Sequence, residues 1–342
     1  MKKLFKWFGV LVLLALLASA WFGWQYYRAF LRTPLNVTAD NAVFEVKGGA
    51  TIRQVARQLQ ENRLIRHGVL FIVHARLTGT ATKLKAGEYQ LEAGMKPDDL
   101  LQKLVSGQVL QYSLTLVEGK TFKEFLQQIR QHPQLVQTLT DADMPTLMAT
   151  LGGEAGMSPE GWFLPVTYHF PRNTTDVEFL KRSYQAMRSY LQQAWEKRAV
   201  HPNISTPYQA LTLASIVEKE TGLPEERPLV ARVFYNRLEK GMLLQTDPSV
   251  IYGLGDNYDG NLRKSDLQTD TPYNTYTRAG LPPTPIAMPG KAAIDAVMHP
   301  ADSDALYFVA TTPGGASYFS TTLDEHNRAV QRFILNRNKA VR

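Results

Sequence analysis

Hydrophobic and polar positions change their spacing several times along this chain, and each spacing predicts a different element. Residues 7–27 carry no charged side chain, and about 20 such residues suffice for a membrane-spanning helix. Further on, an apolar run, a glycine turn and a stretch of helical spacing recur three times, in VKGGATIRQVARQL, LEAGMKPDDLLQKL and VEGKTFKEFLQQI. We therefore predict an N-terminal transmembrane helix followed by mixed α+β structure.

The N-terminal apolar run has the flanks of a membrane anchor. Lys2, Lys3 and Lys6 precede it, and aromatic side chains cluster toward its ends, as they do at membrane interfaces. These lysines predict a cytoplasmic N-terminus, with the rest of the chain outside the cytoplasm. The alternative is a cleavable signal peptide, because ASA at residues 18–20 looks like a cleavage site, but the apolar run continues past it. We expect residues 1–28 to remain as an uncleaved cytoplasmic tip and anchor.

Residues 41–110 read as a small βααβ module. Ile52, Val55 and Leu59 recur at helical spacing with Thr51 as a suitable N-cap, and HGVLFIVHARLTG predicts a second helix. The outline is similar to LysM modules, which bind glycan strands.

Residues 111–342 read as a larger, mixed α+β domain. The pattern is mostly helical up to about residue 200, apart from a loop predicted at residues 153–175, which are rich in Gly, Pro and aromatic residues. The chain closes with a hairpin, LYFVATTPGGASYFSTT, and a helix. Between them, residues 242–290 are rich in Gly, Pro, Asn and Tyr and have few periodic apolar positions. A loop of that length inside a compact domain is usually functional.

The stretch LTLASIVEKETG places two carboxylates at the end of a helix that is apolar nearly all round, which predicts a central, buried helix. At 100° per residue, Glu218 shares a face with Ala214 and Ser215, whereas Glu220 lies on the opposite side. Burial raises the pKa of a carboxyl group, so Glu218 is a candidate general acid, and the two glutamates cannot act on one bond. For Glu218 the alternative is an ion pair with one of the nearby cations, which are Lys219, Arg227, Arg232 and Arg237. For Glu220 we expect a structural pairing with a nearby arginine or lysine.

The loop-rich tract supplies side chains that suit a carbohydrate. Aromatic rings stack on the apolar faces of sugars, and amides and hydroxyls bond their polar groups. The candidate substrate-binding residues are Gln245, Thr246, Asp247, Tyr252, Tyr273, Asn274 and Tyr276.

Composition excludes several other chemistries. The chain has no cysteine, which rules out disulfide scaffolds, cysteine–zinc sites and thiol nucleophiles. Its seven histidines are scattered without ligand spacing, so we expect no metal site and no cofactor. The net charge of +7 suits binding to nucleic acid, to anionic lipid or to an acidic polymer. Nucleic acid is disfavoured, because the sequence has no basic run with interleaved aromatic residues.

Four motifs together resemble one family. LASIVEKET, FYNRLEKGMLLQTDPSVIYGLG, YNTYTRAGLPPTPIAMPG and LYFVA are similar to those of the YceG-like family, the endolytic murein transglycosylases. The resemblance implies cleavage of peptidoglycan between N-acetylmuramic acid and N-acetylglucosamine, in the periplasm beside the inner membrane, leaving a 1,6-anhydro end. It places the catalytic glutamate at Glu218. The same resemblance implies that six of the candidate loop residues line the substrate cleft, namely Gln245, Thr246, Asp247, Tyr273, Asn274 and Tyr276.

The resemblance also explains why only one convincing carboxylate is found. An ordinary glycoside hydrolase needs two, whereas in a lytic transglycosylase the C6 hydroxyl of muramic acid is the nucleophile and Glu218 serves as acid and then base. The alternative hypothesis is a non-catalytic envelope scaffold that binds peptidoglycan through the LysM-like module. Both hypotheses imply glycan strands as a partner, a membrane contact through the N-terminal helix, and peptidoglycan synthases as possible further partners.

Overall fold

The computed structural model describes residues 2–312 and 314–335, with side chains from residue 6 onward. Within these residues the chain is mixed α+β, as predicted, with one long apolar helix at its N-terminus. The predicted limits at residues 1 and 342, and Pro313 in the predicted hairpin turn, lie outside the described residues.

Helices are the main regular structure of the described chain. They are α1 (Lys2–Arg32), α2 (Ile52–Glu61), α3 (Gly68–Leu77), α4 (Pro97–Ser106), α5 (Phe122–Gln131), α6 (Leu147–Leu151), α7 (Asp176–Glu196), α8 (Pro207–Glu220), α9 (Arg227–Glu239), α10 (Asp247–Leu254), α11 (Lys264–Gln268), α12 (Lys291–Met298) and α13 (Leu323–Val330). Short 3-10 turns cover Ala39–Asn41, Asp141–Thr146 and Gly255–Asn257, and a π turn covers Gln331–Leu335.

The strands are short and pair in twos. They are β1 (Val43–Val46), β2 (Gly87–Gln90), β3 (Tyr112–Thr115), β4 (Thr167–Phe170), β5 (Tyr307–Ala310) and β6 (Ser317–Ser320), paired β1–β2, β3–β4 and β5–β6. The closing hairpin β5–β6 and the helix after it agree with the prediction.

Two compact units divide the chain. The N-terminal unit comprises Met1–Tyr112 with His169–Arg172, and the C-terminal unit comprises Ser113–Tyr168 with Asn173–Arg342. The order β1, α2, α3, β2 agrees with the predicted βααβ arrangement, and β1 pairs antiparallel with β2 in the register Phe44↔Tyr89. Both of these aromatic side chains are fully buried and form the centre of this unit's core.

The three predicted strand–glycine–helix repeats are all present, as β1–α2, β2–α4 and β3–α5. In each, a glycine stands three positions before the first helical residue and has a positive φ, 75° at Gly49, 87° at Gly94 and 74° at Gly119. Only glycine adopts this left-handed backbone without a steric cost, so the repeated glycine fixes the direction in which each helix leaves its turn.

Helix α1 has the length and composition of a membrane span. The most apolar 18-residue window of its segment Lys6–Arg32 has a mean hydropathy of 1.9, and none of that window is buried in the protein. The helix runs unbroken past residues 18–20 and ends just before Pro34, which cannot continue it.

Helix α8 is the centre of the C-terminal unit. Every side chain from Ala210 to Val217 is buried, and α7, α9, α10 and α12 pack around it. This confirms the prediction of a central, buried helix and places its two glutamates at its C-terminal end.

Two segments predicted as loop contain regular structure. Residues Thr167–Phe170 form β4, and α10 and α11 lie within the tract 242–290. These helices have eight and five residues, so they are too short to show apolar periodicity in the sequence.

Candidate active site

The local sequence fixes where α8 begins and ends. Thr206 is the N-cap, and its hydroxyl accepts a hydrogen bond from the backbone N–H of Gln209 at 3.2 Å, with Pro207 in the first helical position. The helix ends at Glu220, and Thr221 is already extended. Glu218 therefore lies in the last turn of a rigid, buried helix, which holds its carboxyl in a defined position.

Two donors contact the Glu218 carboxyl. A guanidinium nitrogen of Arg227, Nη2, lies 3.1 Å from Oε1, and the backbone N–H of Gly290 donates to Oε2 at 2.9 Å. The side chain of Glu218 is only 6% exposed. The alternative predicted for Glu218, an ion pair with Arg227, is thus present, and it coexists with burial.

Burial and its neighbours act in opposite directions on the pKa of Glu218. Desolvation is the largest influence and raises the pKa above its ordinary value, and the charge of Glu118 raises it further. The Gly290 N–H, Arg227 and Lys219 lower the pKa, but they do not cancel the desolvation. The group is therefore easier to protonate than an exposed glutamate, and its carboxylate form has two donors already in place.

A second carboxylate, Glu118, lies beside the first. Its Oε2 is 3.7 Å from Nη2 of Arg227, and its carboxyl group occupies the space that a Cβ on Gly290 would fill. Lys219 also reaches this segment, because its ammonium donates to the carbonyl of Gly119 at 3.1 Å. The sequence reasoning missed Glu118, and the one signal available was its position directly before the third repeated glycine.

The loop that carries Gly290 is held from two sides. The hydroxyl of Ser215 accepts the backbone N–H of Ile286 at 2.9 Å, and the backbones of Met288 and of residues 119–120 exchange hydrogen bonds of 2.8 and 2.9 Å. Ser215, which shares a helix face with Glu218, therefore positions this loop.

Three of the predicted cleft residues gather near Glu220. The hydroxyl of Thr246 donates to Glu220 Oε1 at 2.5 Å, and the hydroxyl of Tyr276 donates to Asp247 at 2.5 Å. Desolvation raises the pKa of Glu220 to about 7. Within the described chain Glu220 has no ion pair, so the expected pairing with a lysine or arginine is wrong and a buried hydroxyl takes its place.

Tyr252 and Tyr273 form a separate aromatic group. Their rings meet edge to face at 4.8 Å, the Tyr273 hydroxyl lies 3.0 Å from that of Thr284, and the Tyr252 hydroxyl donates to Glu160 at 3.1 Å. Desolvation raises the pKa of Glu160 to about 7. Sequence reasoning also missed Glu160.

Gln245 and Asn274 differ in their surroundings. Gln245 is exposed and has a left-handed backbone with φ 48°, which presents its amide to solvent. Asn274 is fully buried, and its amide nitrogen donates to the backbone carbonyls of residues 266, 267 and 269. Asn274 thus holds its own segment of the loop tract against residues 266–269.

The described residues contain no group of three or more His, Cys, Asp and Glu side chains that could hold a metal ion. What the site does contain is a buried carboxyl of raised pKa, a guanidinium and an oriented backbone N–H. These are the components of acid–base chemistry with stabilisation of an anion.

Comparisons with known proteins give one consistent result. The sequence profile of the YceG-like family matches residues 44–332. The chain is 32% identical over 331 residues to an endolytic murein transglycosylase of Bacillus subtilis strain 168, covering 92% of this chain and 91% of that protein. It is 31% identical over 363 residues to the endolytic murein transglycosylase of Streptococcus pneumoniae serotype 2 strain D39, where it covers 95% of this chain but spans only 64% of the relative.

A solved structure supports the same relationship. A crystal structure of a YceG-like protein from Listeria monocytogenes is 30% identical and matches with a TM-score of 0.51, over 84% of this chain and 97% of that one.

Proposed function

The chain belongs to the YceG-like family, and on that premise we propose that it is a membrane-anchored endolytic lytic transglycosylase of peptidoglycan, with Glu218 as its acid and base. The family predicted from the four motifs is confirmed, and its curated relatives carry the name of an enzyme. The comparisons therefore do not favour the alternative of a non-catalytic scaffold.

The proposed reaction breaks the bond between N-acetylmuramic acid and N-acetylglucosamine. Glu218 donates its proton to the glycosidic oxygen as the bond from that oxygen to C1 of muramic acid breaks. The resulting carboxylate accepts the proton of the C6 hydroxyl as O6 bonds to C1 and closes the 1,6-anhydro ring. Water is not consumed, and Glu218 ends the cycle protonated.

The surroundings of Glu218 support both halves of this cycle. Desolvation raises its pKa, which favours the protonated form needed first. Arg227 and the Gly290 N–H donate to the two oxygens, which stabilises the carboxylate needed second. The internal C6 hydroxyl has the advantage of high effective molarity because it is already tethered near C1.

Glu118 has a supporting role in this scheme. It is more exposed than Glu218, with 44% of its side chain accessible, and it shares Arg227 with it. Its negative charge helps Glu218 keep its proton and would stabilise an oxocarbenium-like transition state if it faces C1.

The loop residues supply the proposed glycan cleft. Gln245 and Asp247 are exposed and able to bond sugar hydroxyls and acetamides, and Tyr252, Tyr273 and Tyr276 offer ring surface. We assign the buried Thr246 and Asn274 to the same cleft as parts of its wall, through their bonds to Glu220 and to the loop backbone.

The proposed location is supported by the length and apolar composition of α1. We propose a single pass through the inner membrane with the N-terminus in the cytoplasm, residues 41–110 as the LysM-like module and residues 111–342 as the periplasmic catalytic domain. Nascent glycan strands would be the substrate, and the synthases that make them would be neighbours.

The direct test compares two glutamates on one helix. Purified full-length protein, Glu218→Gln and Glu220→Gln are incubated with purified peptidoglycan, and the products are identified by mass spectrometry. Losing a general acid costs about 10²–10⁴ in rate, so Glu218→Gln should lose the 1,6-anhydro products while Glu220→Gln keeps them.

Glu118→Gln provides a third comparison, since it removes the only other carboxylate that contacts Arg227 among the described residues. We expect reduced rates with anhydro products retained. Full activity in Glu218→Gln would remove that residue from the proposal, and reducing muramic ends in the wild-type products would replace the transglycosylase with a hydrolase.

A further inference from the structure

One helix of the N-terminal unit exposes an apolar face. Along α3, Val69 is 70% exposed, Val73 39% and Leu77 68%. Their spacing of four residues puts all three on one side of the helix, opposite the buried Phe71 and Ala75. A stripe of large apolar side chains left in water is unfavourable and indicates a surface that something covers.

Arginines border this stripe. Arg53 and Arg57 of α2 line the groove between α2 and α3 together with Val69, and Arg76 lies on α3 itself. All three are exposed and take part in no ion pair within the described residues. Glu61 is the single acidic residue in the groove, so the rim is positively charged.

Hydrogen bonds fix the depth of α3 relative to the N-terminal helix. The hydroxyl of Tyr26 lies 2.7 Å from Nε2 of His67, which precedes α3, and that of Tyr27 lies 2.7 Å from Nδ1 of His74 within it. Nε2 of His74 in turn lies 2.7 Å from a carboxylate oxygen of Asp98. Helix α3 is thereby tied to the last turns of α1.

If α1 spans the membrane, the depth of Tyr26 and Tyr27 in the bilayer sets the depth of α3. About 20 helical residues at 1.5 Å each cover about 30 Å, the thickness of the hydrocarbon core. The uncharged run from Trp7 to Tyr27 has this length, so Tyr26 and Tyr27 stand at its outer boundary, where tyrosine is favoured. Helix α3 then lies level with the lipid headgroups.

We infer that the Val69–Val73–Leu77 face of α3, with its arginine rim, docks on the outer surface of the anionic membrane that α1 spans. The apolar side chains enter the boundary between headgroups and acyl chains while the arginines meet lipid phosphates, which is the arrangement of an interfacial amphipathic helix. The inference rests on the anchoring proposed for α1 and not on the chemistry assigned to Glu218.

The absence of cysteine from the chain makes a direct test possible. Single variants Val69→Cys and Leu77→Cys are labelled with the fluorophore NBD in the full-length protein, in nanodiscs of phosphatidylethanolamine and phosphatidylglycerol. Quenching by lipids that carry spin labels on their acyl chains reports contact with the membrane. Val200→Cys is the matched control in water, because Val200 is 80% exposed in the C-terminal unit, and Leu13→Cys is the control inside the span.

We expect NBD at positions 69 and 77 to emit at shorter wavelength and to lose most of its emission to the spin-labelled lipids, as at position 13 and unlike position 200. The double variant Arg53→Glu, Arg57→Glu should reduce that quenching, and nanodiscs of phosphatidylcholine alone should reduce it as well.

Other outcomes would overturn the inference in distinguishable ways. If the fluorophore at position 69 escapes lipid quenching and is quenched by iodide as strongly as the one at position 200, the face remains in water. A short-wavelength emission without lipid quenching would show that protein, such as a second copy of the chain, covers it. Loss of quenching at position 13 would contradict both the proposed anchor and this inference. Quenching at position 13 but not at positions 69 and 77 would contradict this inference and leave the proposed function intact.

Discussion

The buried carboxyl of Glu220 should make stability depend on pH in a way that one substitution removes. Its pKa rises from an ordinary 4.5 to about 7, chiefly by desolvation. Between these values the folded protein holds a proton that the unfolded chain has released, so stability falls as pH rises from 4.5 to 7. At 1.36 kcal/mol per pKa unit, the full difference costs at most about 3 kcal/mol above pH 7.

Glu220→Gln keeps an oxygen that can accept the Thr246 hydroxyl but cannot ionise. We expect it to melt at the same temperature as wild type near pH 4.5, and roughly 6–12 °C higher at pH 8, since 1 kcal/mol shifts a domain of this size by about 2–4 °C. Thermal unfolding followed by circular dichroism at both pH values measures this. An equal melting difference at the two pH values would contradict a role for Glu220 ionisation, because a neutral packing effect does not depend on protonation.

Three further substitutions test the partner of Glu218 and the packing of helix α8 and the loop that precedes Gly290. Arg227→Gln removes a cation that lowers the pKa of Glu218, so the alkaline limb of the activity profile should move to higher pH, while Arg227→Lys should keep its position; an unmoved limb in Arg227→Gln would contradict this role. Ser215→Ala leaves the N–H of Ile286 without its partner and should cost about 1–3 kcal/mol in urea unfolding. Gly161→Ala, at φ 84° and against a proline ring, should cost at least about 2 kcal/mol by the same assay.

Local signals made most of the fold predictable. Each strand–glycine–helix repeat is encoded within about fifteen consecutive residues. The glycine that adopts the left-handed backbone before each helix is itself visible in the sequence. Strand β4 was missed because its pairing with β3 depends on residues some fifty positions earlier, and four residues carry too little periodicity to stand out.

The residues of the candidate site also differ in whether local sequence could predict them. Glu218 could be found because the whole helix around it is apolar, and the helical wheel correctly separated it from Glu220. Glu118 could not be found, because its approach to Arg227 depends on packing between segments distant in sequence. The loop residues were recognisable by type, but the structure sets Thr246 beside Glu220, a grouping that no sequence spacing reveals.

The central claim is that the C6 hydroxyl of muramic acid, and not water, attacks C1. Digesting purified peptidoglycan with the wild-type protein in water enriched in oxygen-18, followed by mass spectrometry of the new muramic ends, tests it most directly. Attack by the C6 hydroxyl gives 1,6-anhydro ends without heavy oxygen, and Glu218→Gln should abolish their formation. Reducing muramic ends carrying oxygen-18 at C1 would contradict it.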